Sequence, residues 1–455
     1  MSKSPIQLSD HFTYGRLLRF VAPCIGTMLF TSIYGIVDGL CVSNFVGKTA
    51  FAAVNLIMPL PMLLGTVGFM LGTGGSAIVG ITLGEGDEAR ASRYFSLFVL
   101  ATALSGTALA AVGLAVLRPV AVMLGAEGPM LDYALRYGRI LIASMPTFAL
   151  QNMFQSFFVT AEKPNLGLGF TVGAGVTNMV LDVVLVGALD LGVEGAAIAT
   201  FISQIVGGVL PVFYFLSRRS TSRLHLCCPQ ADWRVLGSGC INGSSELMTN
   251  LSMSLVNILY NYQLLRFAGE DGVAAYGVIM YAAFLFVAVF VGYAVGTAPI
   301  VSFHYGARNQ PELHNLYTKS LRLIGGVALG MTAVSVVLIP YVARFFVGYD
   351  AGLLALTSRA FRLYALSFLL MGFNVYASSF FTALGDGVTS ALISFLRTLL
   401  FQLAAVLVLP ELLGIDGVWL ETAWRAVTAA EAAALLVTIW LLAVKDKRFH
   451  YRKAQ

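Results

Sequence analysis

The chain has 455 residues, 58% of them hydrophobic and 11% charged, with a mean hydropathy of +0.82. Soluble domains are about 25% charged, so most of this chain belongs in lipid, not water. Its net charge of +5 is spread over the ends of apolar segments and does not form a patch for nucleic acid.

Stretches free of Asp, Glu, Lys and Arg recur along the chain, each long enough to cross a bilayer as helix, which takes roughly 20 residues. With segments holding one or two ionisable residues added, twelve spans are predicted: 16–43, 50–80, 94–118, 133–160, 165–187, 193–217, 234–265, 273–303, 316–342, 357–384, 388–410 and 416–444. A membrane barrel would show short alternating segments instead. The polar stretch Met1–Tyr14 leads directly into a full-length apolar helix, which is not the pattern of a cleavable signal.

Span 1 carries Pro23 in FVAPCIGTMLF, where a missing backbone donor permits bending, then Tyr34 and Asp38 in YGIVDGLCV. Span 2 contains GTGGS, which lacks the G-K-[ST] ending of a phosphate loop. In span 4, QNMFQ sets Gln151 and Gln155 four apart with Asn152 beside them. With Phe154, Phe157 and Tyr34 they suit either a roomy cavity for a flat, partly apolar ligand or plain interhelical hydrogen bonding.

Span 5 contains TNMVLDVVLV. Asn178 and Asp182 are one helical turn apart and therefore share a face. Span 6 adds Thr200. The basic loop 217–233 separates this half from span 7, which carries Glu246, readable as a second proton site or as an acid near the inner membrane face. His304 ends span 8 as an interfacial contact. Arg397 in span 11 needs a counter-charge or a wet cavity, and in span 12 Glu421 and Arg425 have the i,i+4 spacing of an ion pair, with Glu431 beyond. The five cysteines are scattered, with no C-x-x-C.

With both ends cytoplasmic, the inner segments hold 18 Lys and Arg and the outer ones eight, which obeys the positive-inside rule. The chain also repeats itself at an offset of 222. IVGITLGEGDEA (78–89) lies on IVSFHYGARNQP (300–311), with Gly84 on Gly306, and LGVEG (191–195) lies on LGIDG (413–417). The expected organisation is an all-α integral membrane protein of two six-helix lobes, 1–216 and 234–455, joined by a cytoplasmic loop at 217–233. An even number of spans per lobe relates the lobes by an axis along the membrane normal, a transporter plan.

The repeat acts as an internal control. Asp38, Asn178 and Asp182 correspond to Tyr260, Leu400 and Ala404, so the fold does not require them; Thr200 corresponds to Thr422. An ionisable residue inside a membrane costs several kcal/mol and marks a functional site by default. If spans 1, 5 and 6 pack together, the site offers two carboxylates, an amide and a hydroxyl, hard oxygen ligands for H⁺ or Na⁺. A proton, Na⁺ or a cationic substrate could each relieve the same charge. The alternative is that the acids only cross-link helices, and Thr200 serves packing equally well.

YGIVDGLCVSNFVGKTAFAAVNLIMPL, GTGGSAIVGITLGEGD, TNMVLDVVLVGALDLGVEGAAIAT and GTAPIVSFHYGARN resemble the MATE (multidrug and toxic compound extrusion) transporters of the MOP superfamily, within them the bacterial MepA-type and DinF-type members. The resemblance spans about 14–444. It implies export of organic cations or other amphipathic drugs in exchange for H⁺ or Na⁺ by rocking of the lobes. It places the coupling ion at Asp38, Asn178, Asp182 and Thr200 and links Pro23 to bending of span 1. Span 10, MGFNVYASSFFTALG, has no acid, unlike the NorM-like branch, so Glu246 has no second-half partner of that type. The implied partners are small-molecule drugs and membrane lipid, with no cofactor beyond the coupling ion and no nucleic acid. The implied setting is a monomer in the bacterial cytoplasmic (inner) membrane with both termini cytoplasmic. A lipid-linked oligosaccharide flippase of the same superfamily is the alternative, although basic residues would be expected in its cavity; an intramembrane enzyme would need a nucleophile or metal cluster that the sequence lacks.

Overall fold

The computed structural model describes residues 6–45, 48–217, 220–348, 350–412 and 419–451. At 36–45, 48, 51, 254, 261–262, 265–270, 273–274, 409–412 and 419–424 it describes the backbone alone. All regular structure among these residues is helical, as lipid demands of a backbone that must satisfy its own hydrogen bonds.

The first six crossings are α1 (Tyr14–Phe45), α2 with α3 (Lys48–Ile57, Pro59–Gly84), α4 (Glu88–Met123), α5 with α6 (Gly128–Ala143, Met145–Thr160), α7 (Pro164–Leu181) and α8 with α9 (Gly192–Gly208, Leu210–Leu216). α7 runs on as a π-helix over Asp182–Ala188. Breaks inside a crossing fall where Pro59, Pro146 and Pro211 open a new helix, the first-turn position that tolerates proline. The second half comprises α10 (Trp233–Gly306), α11 (Gln310–Val347), α12 with α13 (Ala351–Ala365, Phe368–Ala383), α14 and α15 (Gly387–Phe395, Phe401–Leu412) joined by π-helical Leu396–Leu400, and α16 (Trp419–Phe449). Acceptor side chains cap the chain's returns into the membrane: Asp87 accepts from the Arg90 N–H, Asp232 from Arg234 and Val235, and Asn309 from Glu312.

Spans 7 and 8, expected as separate helices, form the single element α10. A straight helix would hold Tyr260 and Tyr276 about 24 Å apart, yet their rings stack with centroids 5.5 Å apart. The chain therefore reverses between them, and α10 is two crossings. Nine described segments are long and apolar enough to cross a membrane, and α12 with α13, bent by 47°, makes a tenth. The other two crossings are α5–α6, split into helices of 16 residues, and the first limb of α10. Twelve crossings bring the described ends of the chain to one face. There Phe12 and Tyr451 reach the start of α11, bonded to Asn315 and His314.

The halves meet through small residues. A Cβ added to Gly84 would run into the carbonyl oxygen of Phe303, and one added to Gly306 into that of Ile81. Positions 84 and 306, and likewise 81 and 303, are related by the offset of 222, so the contact is reciprocal. Between these pairs a Cβ at Gly80 would meet Ser302 Cβ at 2.8 Å, and these two positions are each other's repeat. The pseudo-two-fold axis passes there. Gly74 and Gly243 extend the close approach of α3 to the first limb of α10, and Gly292 and Gly296 seat the second limb on Ile25 and Val21 of α1. Every one of these contacts lies in the half of the bundle nearer the termini.

Candidate functional site

The site grows from α7, which packs against both α1 and α8. Gly175 receives the Phe30 ring of α1, Gly26 of α1 meets Leu168, and Gly173 meets Val206 of α8. Spans 1, 5 and 6 thus pack together, the condition set by the sequence for a common site. Asn178 and Asp182 are 0% and 1% exposed. With its nitrogen turned toward Asp182, the Asn178 amide donates to Oδ2 at 3.1 Å and accepts from the Thr200 N–H at 3.2 Å. The reverse orientation brings that nitrogen 3.3 Å from Thr200 Oγ1 but sets the amide oxygen against acceptors only. The first orientation satisfies both ends. Thr200 Oγ1 donates to the Ala196 carbonyl at 3.0 Å, leaving its lone pairs available.

Asp182 opens the π-helical stretch. A π-turn shifts the register of backbone bonds and recurs at functional sites. A buried carboxylate and a half-buried hydroxyl thus both lie against the buried Asn178 amide in the first half. The side chain of Asp38 lies outside the described residues. Tyr34 is half-buried on the same helix.

Gln151 and Gln155 are half-buried and Asn152 is buried. Gln151 lies over Gly207 of α8. Of the two readings, the aromatic neighbours follow the packing one: Phe154 and Phe157 are 1% and 0% exposed, with Phe95 edge-on to Phe154 and tilted against Phe157, and Phe215 stacked on Phe154, in the core of the first half. An aromatic cluster inside one lobe absorbs them. Pro23 does not interrupt α1, which is continuous from Tyr14 to Phe45; Thr27 Oγ1 donates to the Pro23 carbonyl at 2.9 Å.

In the second half Glu246 is half-buried on α10. Arg397 finds its counter-charge in Glu431, its Nε lying 2.8 and 3.0 Å from the two carboxylate oxygens. Asn374 donates to the same carboxylate at 2.8 Å and accepts from Thr438 at 2.9 Å. Asn374 and Thr438 were not singled out by the sequence reading, although Asn374 is the repeat of Asn152. The side chain of Glu421, expected on Arg425, lies outside the described residues. His304 is buried edge-on to Phe12, 6.4 Å between centroids, a structural contact at the membrane boundary.

The family model MatE matches this chain twice, at residues 23–184 and 247–407. The chain belongs to the MatE family. The starts of the two matches lie 224 residues apart (247 less 23), close to the repeat offset read from the sequence. The MatE fold is also that of solved structures. One described as the outward-facing conformation of a multidrug resistance MATE family transporter of the MOP superfamily matches with a TM-score of 0.91 and 22% identity, covering 99% of each chain. One described as MATE in the straight conformation has a TM-score of 0.91 at 22% identity, covering 99% of this chain and all of that one. Among curated proteins, the multidrug export protein MepA of Staphylococcus saprophyticus is 20% identical over 434 residues, 95% of this chain and 94% of that protein. MepA of Staphylococcus aureus is 21% identical over 453 residues, 98% and 95% respectively. As a MatE-family transporter the protein is not an enzyme, and its twelve crossings in two lobes are the family's architecture.

Proposed function

We propose that this protein exports small organic cations or amphipathic drugs in exchange for a coupling cation, H⁺ or Na⁺. The observation that carries this reading is the buried Asn178–Asp182 pair beside Thr200, an amide and an acid that the repeat replaces by Leu400 and Ala404. The lobes 1–216 and 234–455, joined by 217–233, alternate about the glycine seam. The glycine contacts lie on the terminus-bearing side, and we infer that they close that side while the cleft between the lobes opens to the opposite one. By the distribution of Lys and Arg the terminus-bearing face is cytoplasmic, and the open side is the outside of a bacterial inner membrane.

In this state a cation on Asp182, with Asn178 and Thr200 as neutral oxygen donors and Asp38 as second acid, offsets a charge that would otherwise be costly in lipid. An organic cation reaching the same half competes for that charge, and mutual exclusion makes an exchanger. The protein acts as a monomer with no further cofactor. The test is efflux of a fluorescent cation from proteoliposomes under a pH gradient or a Na⁺ gradient imposed separately. Efflux under one of them is expected. Efflux under neither, with scrambling of a labelled lipid-linked sugar instead, would replace this reading by the flippase.

A further inference from the structure

Residues 6–13, ahead of α1, lie across the terminus-bearing face and are held from both halves. Leu8 and Phe12 are fully buried. The Leu8 N–H donates to Glu162 Oε1 at 2.8 Å; Glu162 stands in the turn between α6 and α7 with a φ of 60°. That same oxygen accepts from Arg223 Nη1 at 3.2 Å, so Glu162 also secures the loop linking the halves.

At its other end the segment is bound to the second half. The Phe12 N–H donates to Glu312 Oε1 at 2.9 Å, and His11 Nδ1 lies 2.6 Å from Oε2. The Phe12 carbonyl accepts from Lys319 Nζ at 2.7 Å and Asn315 Nδ2 at 3.1 Å. Its ring enters the second-half core beside His304. Two carboxylates, one per half, thus hold a single short segment whose Phe12 packs on His304, two residues along the chain from both Ser302 and Gly306. The fold does not demand either acid: the repeat of Glu312 is Arg90 and that of Glu162 is Leu384.

We propose that residues 6–13 form a clasp, positioned by Glu162 and Glu312, that holds this face shut and must leave Glu312 each time it opens. The reason is geometric. Once the halves part at the seam, a segment tied to Glu162 in the first half cannot keep its bonds to Glu312 in the second. Charge-assisted bonds to backbone N–H groups and two buried apolar side chains stabilise the closed state. Release exposes both side chains and leaves Glu312 without its N–H donor.

The proposal rests on the alternating-access reading above, and the two arms of its test separate the two. First, Ser302→Cys, in a background with the native cysteines replaced, reports opening of the seam through labelling by an impermeant maleimide from the terminus-bearing side, with no transport required. Glu312→Ala should speed labelling about tenfold, the worth of one charge-assisted hydrogen bond. Glu312→Gln, which keeps an acceptor, should speed it less. Unchanged labelling in both folded variants overturns the clasp. Second, His11→Cys with Glu312→Cys, bridged by a short bis-thiosulfonate, should stop efflux, and reduction should restore it. Failure of the pair to bridge, or full efflux by bridged protein, also overturns it. Absence of efflux in the parent protein, with His11 and Glu312 intact, counts against the transport reading and leaves the labelling result standing.

Discussion

Arg397 and Glu431, 34 residues apart in sequence, form an ion pair with 14% and 2% of their side chains exposed. Asn374 bonds the same carboxylate, and Thr438 bonds Asn374. Removing one partner of such a pair strands a charge in a low-dielectric interior, at a cost of about 3–5 kcal/mol, whereas an apolar replacement of both is far milder. Arg397→Ala should therefore lower the melting temperature in detergent markedly, and Arg397→Met combined with Glu431→Leu should recover most of the loss. Equal melting of the single and double variants would refute this account.

Asp182→Asn should reduce drug resistance conferred by the protein to background while expression and melting stay near those of the parent. The amide keeps the volume and the contact to Asn178 but cannot hold a cation by charge. Asn178→Leu, the side chain that the repeat carries at Leu400, should give the same phenotype. Full resistance in Asp182→Asn would remove that residue from coupling.

Gly84→Ala and Gly306→Ala each force a methyl group onto a backbone carbonyl of the other half. Overpacking of this kind costs about 1–3 kcal/mol, and because the contact is reciprocal the two variants should be destabilised alike. Gly326→Ala, where an added Cβ meets nothing within 4 Å, should be neutral or slightly stabilising. Melting of the three variants side by side settles this, and a large difference between the first two would deny the two-fold relation.

Asp386, at the terminus-bearing end of α14, is desolvated by burial, which raises its pKa. The Lys445 ammonium 2.7 Å away and the Thr389 bonds outweigh this and hold it below the ordinary carboxylate value. A carboxyl whose folded pKa is depressed adds stability above its unfolded pKa, about 3.9, and loses it as pH falls through the folded value. Asp386→Asn should thus melt lower than the parent at pH 7, with the gap closing under acid. A gap constant down to pH 2 would contradict the ion pair.

Local rules reached far here. The count of crossings followed from runs of apolar residues, because the bilayer sets a helix length. The two halves followed from one constant offset. Asn178 and Asp182 were neighbours on paper because four residues make one helical turn, and the Asn178 amide indeed meets the Asp182 carboxylate. The offset had already matched Gly84 to Gly306 without giving either a task.

Relations between helices were settled only by packing. Thr200 joins Asn178 because α8 packs beside α7, and the Phe30 ring of α1 reaches α7 because Gly175 has no Cβ. Arg397 takes Glu431 because span 11 packs against span 12. Phe154 and Phe157 sit in the core because Phe95 packs against both and Phe215 stacks on Phe154. Phe12 meets Glu312 across 300 residues, a distance over which no periodicity carries information. The amino-acid order by itself determined which segments enter the membrane and which acids belong to one half alone, because solvation and helical pitch act residue by residue. The tertiary structure decided which of those residues face each other, because that depends on how closely two surfaces can approach.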